Sequence, residues 1–347
     1  MRTPAVFLRS LPVLAAASLL LSGCGGPAPA GAGPDPAAAG YPTDTTTAPD
    51  GGAAGSPSGF PFTVDNCGTK VTVSAPPERV VTIKSTSTEL LLALGLGDRI
   101  VGTAFADGPV PEQWRQDLPV ISEQLPAREP VLALEPDFVY AGWESNFSAD
   151  GAGERASLGK LGINTYVSPA ACREPGYQPD PLTFDGLFAD IQEAGRIFGA
   201  GARADRLVAE QRRQLDAVVP DGKGLSALWY SSGSDTPYVG GGTGAPQLVM
   251  EAAGLRNIAA DVDQAWSPLS WEAVADRNPD VIVLVDSSWS SVKKKIGVLE
   301  QHPVISRLDA VKEGRYLVVP FAASEAGIRS VETVQSLADQ LAKLEAP

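Results

Sequence analysis

One corner of this chain is written twice. Residues 129–143 read EPVLALEPDFVYAGW and residues 272–285 read EAVADRNPDVIVLV, so Glu129, Val131, Pro136 and Asp137 return 143 residues later as Glu272, Val274, Pro279 and Asp280. Proline lacks the N–H for the next helical hydrogen bond and drives its predecessor out of helical geometry, so a helix must stop there. The aspartate that follows can accept from backbone donors left open at the entry to a buried strand. A chain that builds the same helix-to-strand corner twice is expected to fold as two similar halves. The two glutamates are not needed for the stop, and on residue type alone they read equally well as solvated helix-face charges.

The rest of the pattern fits two α/β halves. FTVDNCGTKVTV alternates apolar and polar residues around a turn containing Asn66 and Gly68, which predicts a β-hairpin. RVVTI, IVGTA, FVYAG and NTYVS read as strands, and STSTELLLALGLG as a helix that stops at Gly95 and Gly97. After residue 224 a second series begins, with LSALWYSS, VIVLV and YLVVP as its strands. Strand and helix in alternation predict a largely parallel sheet in each half. Between them, residues 183–219 carry apolar side chains at helical spacing, and Gly199 with Gly201 is expected to divide them into two helices. The second piece, residues 202–219, would be about 27 Å long, enough for a strut between lobes.

The N-terminus predicts where the protein works. Arg2 and Arg9 accompany the apolar run LPVLAAASLLL, too short to span a bilayer but suited to a secretory signal over residues 1–23. LSGC, ending at Cys24, resembles a bacterial lipobox, which implies that Cys24 becomes the lipidated first residue. Residues 24–59 are mostly Gly, Ala, Pro, Ser, Thr and Asp, a composition without the apolar surface to offset ordering entropy, so they are expected to be a tether. The folded part, from residue 60, would then sit outside the cytoplasmic membrane and close to it. Of the three cysteines, Cys67 and Cys172 remain after Cys24. Outside the cytoplasm such a pair can bond, and two buried free thiols are the other reading. A net charge of −14 disfavours nucleic acid and anionic head groups as partners.

Taken in order, the hairpin, PPERVVTI, the Thr-Glu-Leu helix, ALGLGDRIVG, LALEPDFVYAGW, a connecting helix and WEAVADRNPDVIVL resemble the substrate-binding proteins of ABC importers for iron-siderophores, haem and cobalamin. The resemblance runs from residue 61 to 347. It implies an α/β fold of two Rossmann-like lobes, residues 60–182 and 220–347, joined by rigid connecting helices over 183–219, with the ligand in the cleft between them. It implies a monomer whose partners are a small-molecule ligand and a permease dimer with its ATPase subunits. It also implies that Glu129 and Glu272, one on each lobe, dock onto that permease. Within the family, residues 80–109 are most similar to proteins proposed to bind a deazaflavin precursor of coenzyme F-420, whereas an iron-siderophore, corrinoid or haem fits the same residues almost as well.

Ligands of open α/β sheets bind beyond the carboxyl ends of the strands. That rule selects Lys84, Ser85 and Thr86 after RVVTI, Trp143 and Asn146 after FVYAG, and Tyr238 in the glycine-rich stretch after SALWYSS. It also selects Trp266 just before the second corner, Trp289 after VIVLV, and Ser324 and Arg329 after the last strand. The tryptophans and Tyr238 offer flat area for a planar ligand, each with a packing role as its alternative. Lys84 and Arg329 are expected to pair with an anionic group, and Arg173 lies in a loop suited to cover the cleft. Trp229, inside a strand, is expected to be core.

The lone His302 and the absence of a leftover cysteine cluster argue against a zinc-type site, and no cofactor is expected. No G-x-S-x-G or H-E-x-x-H occurs, and GGGTGAP lacks the lysine of a phosphate-binding loop. The expectation is a binding protein and not an enzyme. A lipid-anchored extracellular hydrolase is the reading of another class, because paired carboxylates cannot be recognised from sequence alone.

Overall fold

The computed structural model describes residues 59–178 and 181–344. The signal segment, the lipid site at Cys24 and all of the tether but Gly59 lie outside these residues. Within them, β1 (Phe62–Asn66) and β2 (Thr69–Val73) pair antiparallel. Their two-residue turn places both Cys67 and Gly68 at positive φ, as a tight hairpin between twisted strands requires.

The first lobe is a parallel sheet of β3 (Val80–Ile83), β4 (Ile100–Ala104), β5 (Val120–Ser122), β6 (Phe138–Ala141) and β7 (Asn164–Val167), in the order β5-β4-β3-β6-β7. Its helices are α1 (Ser85–Ala93), α2 (Arg128–Leu132) and α3 (Arg155–Lys160). Residues alternate between two buried faces: Val80, Phe138 and Tyr140 join one apolar cluster, while Val81, Ile83 and Val139 join another. Cover on both faces is why the central strands β3 and β6 read as largely apolar runs.

Next come α4 (Phe184–Ile197) and α5 (Gly201–Asp216). Phe188, Ile191, Ala204 and Val208 belong to the first lobe's core, whereas Phe184 and Leu215 touch the cores of both lobes.

The second lobe contains β8 (Ser226–Ser232), β9 (Tyr238–Gly240), β10 (Arg256–Asn257), β11 (Trp266–Pro268), β12 (Val281–Asp286) and β13 (Tyr316–Pro320). The order is β11-β9-β8-β12-β13, with β10 paired to β8; β8, β12 and β13 are parallel, and β9 is antiparallel to both its neighbours. Its helices are α6 (Ala245–Ala252), α7 (Trp271–Arg277), α8 (Val292–Gln301), α9 (Asp309–Lys312), α10 (Phe321–Ser324) and α11 (Ser330–Leu344). Trp229 is fully buried.

The repeated corner is the same device in both lobes. Asp137 accepts from the backbone N–H of Glu78 and Arg79 at the entry to β3, at 2.8 and 3.1 Å. Asp280 accepts from the N–H and hydroxyl of Ser226 at the start of β8, at 2.8 and 2.6 Å. Each aspartate therefore ties its own strand to the first strand of its lobe. Glu129 and Glu272 lie exposed in the first turns of α2 and α7.

Candidate functional site

Strand order fixes where each sheet opens. In the first lobe the chain runs outward from β3 to β4 and β5, then returns to the other side of β3 for β6 and β7. The crevice at such a reversal lies beyond the carboxyl ends of β3 and β6. Lys84 follows β3 and Trp143 follows β6, so both stand at that point. A Cβ on Gly142 would come within 2.7 Å of the Lys84 Cβ and 2.5 Å of the Thr86 hydroxyl oxygen, so the approach of the two strand ends requires glycine there.

Lys84 is buried at φ 82°, ψ 155°, a region nearly confined to glycine. Holding a lysine there costs on the order of 1–3 kcal/mol. Its surroundings supply the compensation. The ammonium pairs with Asp107, which follows β4, and Asp107 also accepts from the Ser85 N–H at 3.2 Å while its own N–H donates to the Ser85 hydroxyl at 2.8 Å. The same ammonium lies 3.7 Å from the Trp143 ring centroid, 4.2 Å from Phe105 and 5.5 Å from Phe321. These are cation–π distances around a desolvated cation.

Phe321 comes from the second lobe, so this cage is where the lobes meet. Trp143 donates its indole N–H to Glu325 across the junction at 3.1 Å and packs edge-on to Phe321 at 6.5 Å. Trp289, 55% exposed, also stands edge-on to Phe321, at 4.8 Å. Nearby, Arg329 grips Glu89 of α1 through Nε and Nη2 and donates to the Pro109 carbonyl at 2.8 Å. Aromatic side chains thus form a continuous seam from Phe105 through Trp143 and Phe321 to Trp289.

Of the residues selected from sequence, the structure brings together Lys84, Ser85, Trp143 and, through Phe321, Trp289. Thr86 lines a cavity of about 30 Å³ with Tyr140, Ser168 and Asp190. Asn146 is buried and accepts from the Trp143 N–H at 3.0 Å, which sets the tryptophan loop. Ser324 is buried and donates to the Phe321 carbonyl, closing the turn that presents Phe321 and Glu325. Lys84 and Arg329 have their donors engaged by Asp107 and Glu89. Tyr238 and Trp266 form a separate stacked pair, 6.4 Å apart and 10° from parallel, on the edge strands β9 and β11. The Arg173 N–H donates to Glu144 at 2.6 Å, and Cys67 and Cys172 are bonded. Phe105, Asp107, Phe321, Glu325 and Glu89 are the site residues that sequence reasoning missed.

The junction titrates near neutrality. Burial pushes the Glu325 carboxyl up to about 7, with Asp107 adding to the rise and the Trp143 N–H and Lys84 opposing it. Burial, with Glu193 nearby, likewise raises Asp190 to about 7. A carboxyl whose pKa is higher in the folded protein than in the unfolded chain stabilises the fold at low pH and loses that contribution as pH rises through the folded value. The melting temperature is therefore expected to fall between pH 5 and pH 7.5. Glu325 accounts for roughly 1–2 kcal/mol of the fall, allowing for its partial exposure. Glu325→Gln should flatten that part of the profile in a thermal melt series; an unchanged slope would show that Glu325 titrates normally.

A family model described as periplasmic binding protein matches residues 80–323. The chain is 28% identical over 290 residues to the ABC transporter substrate-binding lipoprotein YvrC of Bacillus subtilis, covering 81% of this chain and 86% of that one. It is 30% identical over 234 residues to a cobalamin-binding protein of Halobacterium salinarum, covering 65% of this chain and 58% of the relative. Among solved structures, a protein of an ABC-type Fe3+-hydroxamate transport system from Saccharomonospora viridis superposes with a TM-score of 0.67 at 28% identity, covering 81% of this chain and 99% of that one.

Proposed function

Because this chain belongs to the periplasmic binding protein family, we propose that it is the substrate-binding component of an ABC importer, holding a small ligand between its lobes outside the cytoplasmic membrane and passing it to a permease. The observation that carries this reading is the aromatic seam at the lobe junction. Phe105, Trp143, Phe321 and Trp289 offer flat apolar faces, and a few polar groups, Lys84, Asp107 and Glu325, lie among them. Apolar walls with sparse, fixed polar groups are what a bulky flat or chelate ligand requires. The names of two of these three similar proteins, a cobalamin-binding protein and a protein of an Fe3+-hydroxamate transport system, support that ligand class. A deazaflavin precursor of coenzyme F-420 is the narrower candidate within it and rests on the resemblance of residues 80–109 alone. A lipid on Cys24 would hold the protein at the membrane it serves.

The test is native mass spectrometry of the full chain after incubation with a lysate of its source cells. A retained chromophoric molecule is expected, and its mass separates corrinoid, ferric siderophore, haem and deazaflavin. Trp143→Ala should weaken retention at least tenfold. Repeated failure to retain any small molecule, with no melting shift from cobalamin, haemin or ferric hydroxamates, would sink the importer reading, and turnover of a chromogenic ester or glycoside would put a hydrolase in its place.

Docking on the permease is assigned to Glu129 and Glu272. Exposed charges on equivalent first turns of the two lobes set encounter and register more than raw affinity. Glu129→Arg with Glu272→Arg is expected to leave ligand affinity within about twofold while uptake by cells falls to background. Uptake that persists at normal surface levels would remove the assignment.

A further inference from the structure

The second lobe has a strand-order reversal of its own. From β8 the chain adds β9 on one side and β12 on the other, so the crevice opens beyond the carboxyl ends of β8 and β12. A cavity of about 170 Å³ lies there, lined by Tyr230 and Ser232 from β8, Trp289 and Ser290 after β12, and Lys294 and Lys295 on α8. Its wall residue Trp289 is also the end of the aromatic seam, so the cavity and the seam share that ring.

Its charges differ from those at the lobe junction. Lys84 and Arg329 each face a carboxylate of the protein itself. Lys295 is 1% exposed and donates only to the Val285 carbonyl and to the carbonyl and hydroxyl of Ser290. Among the described residues no carboxylate lies within ion-pair distance of Lys295, and exposed Lys294 beside it has none either. Asp286, whose charge reaches Lys295, accepts from the Val292 N–H at 3.1 Å. A buried cation surrounded by neutral acceptors lacks compensating charge. Burial accordingly pulls the Lys295 ammonium down to about 8, with Lys294 adding to the fall and Asp286 resisting it.

Resting on the importer reading, we propose that this cavity receives an anionic group of the ligand, a phosphate or carboxylate, beside Lys294 and Lys295, while the ligand's flat part lies on Trp289. The bound anion supplies the countercharge that Lys295 lacks. The cargo is therefore a flat molecule with an acidic arm, and the two lobes divide the work: the first presents the caged cation and aromatic faces, the second the anion pocket. Such a contact also opposes the electrostatic cost of bringing an anion to a chain of net charge −14.

The experiment titrates the full chain with inorganic phosphate and, in parallel, with acetate at constant ionic strength, following tryptophan fluorescence. Saturable binding is expected for at least one, and the stronger of the two identifies the arm. Lys294→Glu, at an exposed position that does not endanger folding, should weaken that binding at least tenfold, and Lys295→Met should abolish it. Phosphate and acetate that both fail to saturate, or that bind Lys294→Glu as tightly as the parent, would overturn the proposal. The two readings fail separately. A lysate ligand retained equally by the parent and by Lys294→Glu would keep the importer and discard the anion pocket. Lysine-dependent phosphate binding without any retained cargo would keep the pocket and discard the importer.

Discussion

Arg329→Met is expected to lower stability by about 3–5 kcal/mol at pH 7.5, because it leaves Glu89 buried without its partner. Glu89 is 1% exposed and accepts both Nε and Nη2 of Arg329 from 240 residues away. Burial already holds its carboxyl above the ordinary range despite the arginine. Without Arg329, Glu89 must carry an unpaired charge or take up a proton, so the loss should shrink as pH falls towards 5. For a folded region of this size the change corresponds to a melting shift of roughly 10 °C. Glu89→Met combined with Arg329→Met should recover most of it, since paired removal leaves no orphaned charge. Urea unfolding of the parent, both single variants and the double variant measures the coupling. A double variant as unstable as Arg329→Met would assign the loss to packing instead of the ion pair. The bridge joins α1 of the first lobe to the residue preceding α11 of the second, so breaking it should also widen the lobe distance distribution in spin-label measurements.

The sequence carried the parts of this fold that rest on local signals. β3, β6, β8 and β12 were legible because strands covered on both faces must be apolar throughout, β13 because its run is apolar although Val318 reaches the surface, and the corners because proline stops a helix by covalent geometry. β5, β9, β10 and β11 left no trace, being two or three residues long at or beside sheet margins, too short for any period to register. That gap had a consequence at the site. Tyr238 and Trp266 were chosen on the rule for parallel strand ends, but β9 and β11 run antiparallel at the edge and stack the two rings on each other. Asp107, Phe321 and Glu325 obey the rule, in the loop after β4 and in and just after the short helix α10 that follows β13, yet a carboxylate or phenylalanine there looks ordinary until the fold brings Lys84 to it. Lys295 sits in the run KKK, which reads as a solvated face; helical spacing turns this one lysine inward while Lys293 and Lys294 stay exposed. Glu89 had no local signal at all, and the strand-end rule that selected Arg329 gave no sign of its partner, because the pair's meaning lies in a contact between lobes.

Replacing Cys67 and Cys172 with serine is expected to cost about 4–5 kcal/mol, the chain-entropy value for a closed loop of this length. The bond spans 105 residues and connects the β1–β2 turn to the loop after β7. Cleavage should not release the hairpin outright, because Asn66 replaces a strand partner along β7: its amide donates to the Val167 carbonyl and its oxygen accepts from the Val167 N–H, each at 2.8 Å. Arg155 reinforces that contact through the Asn66 carbonyl and side-chain oxygen, both at 2.8 Å. The native state should therefore keep its hairpin while the unfolded chain gains freedom, which appears as a lower urea midpoint with nearly native far-UV dichroism before the transition. The parent treated with a strong reductant should match the double-serine variant. If instead the reduced protein loses the hairpin's hydrogen-exchange protection under native conditions, the bond holds the folded edge directly and Asn66 is insufficient. The Cys172 loop also leads to Arg173, whose N–H is held by Glu144 one residue beyond Trp143, so the same reduction should loosen the tryptophan loop and weaken ligand retention several-fold more than the stability loss alone would predict.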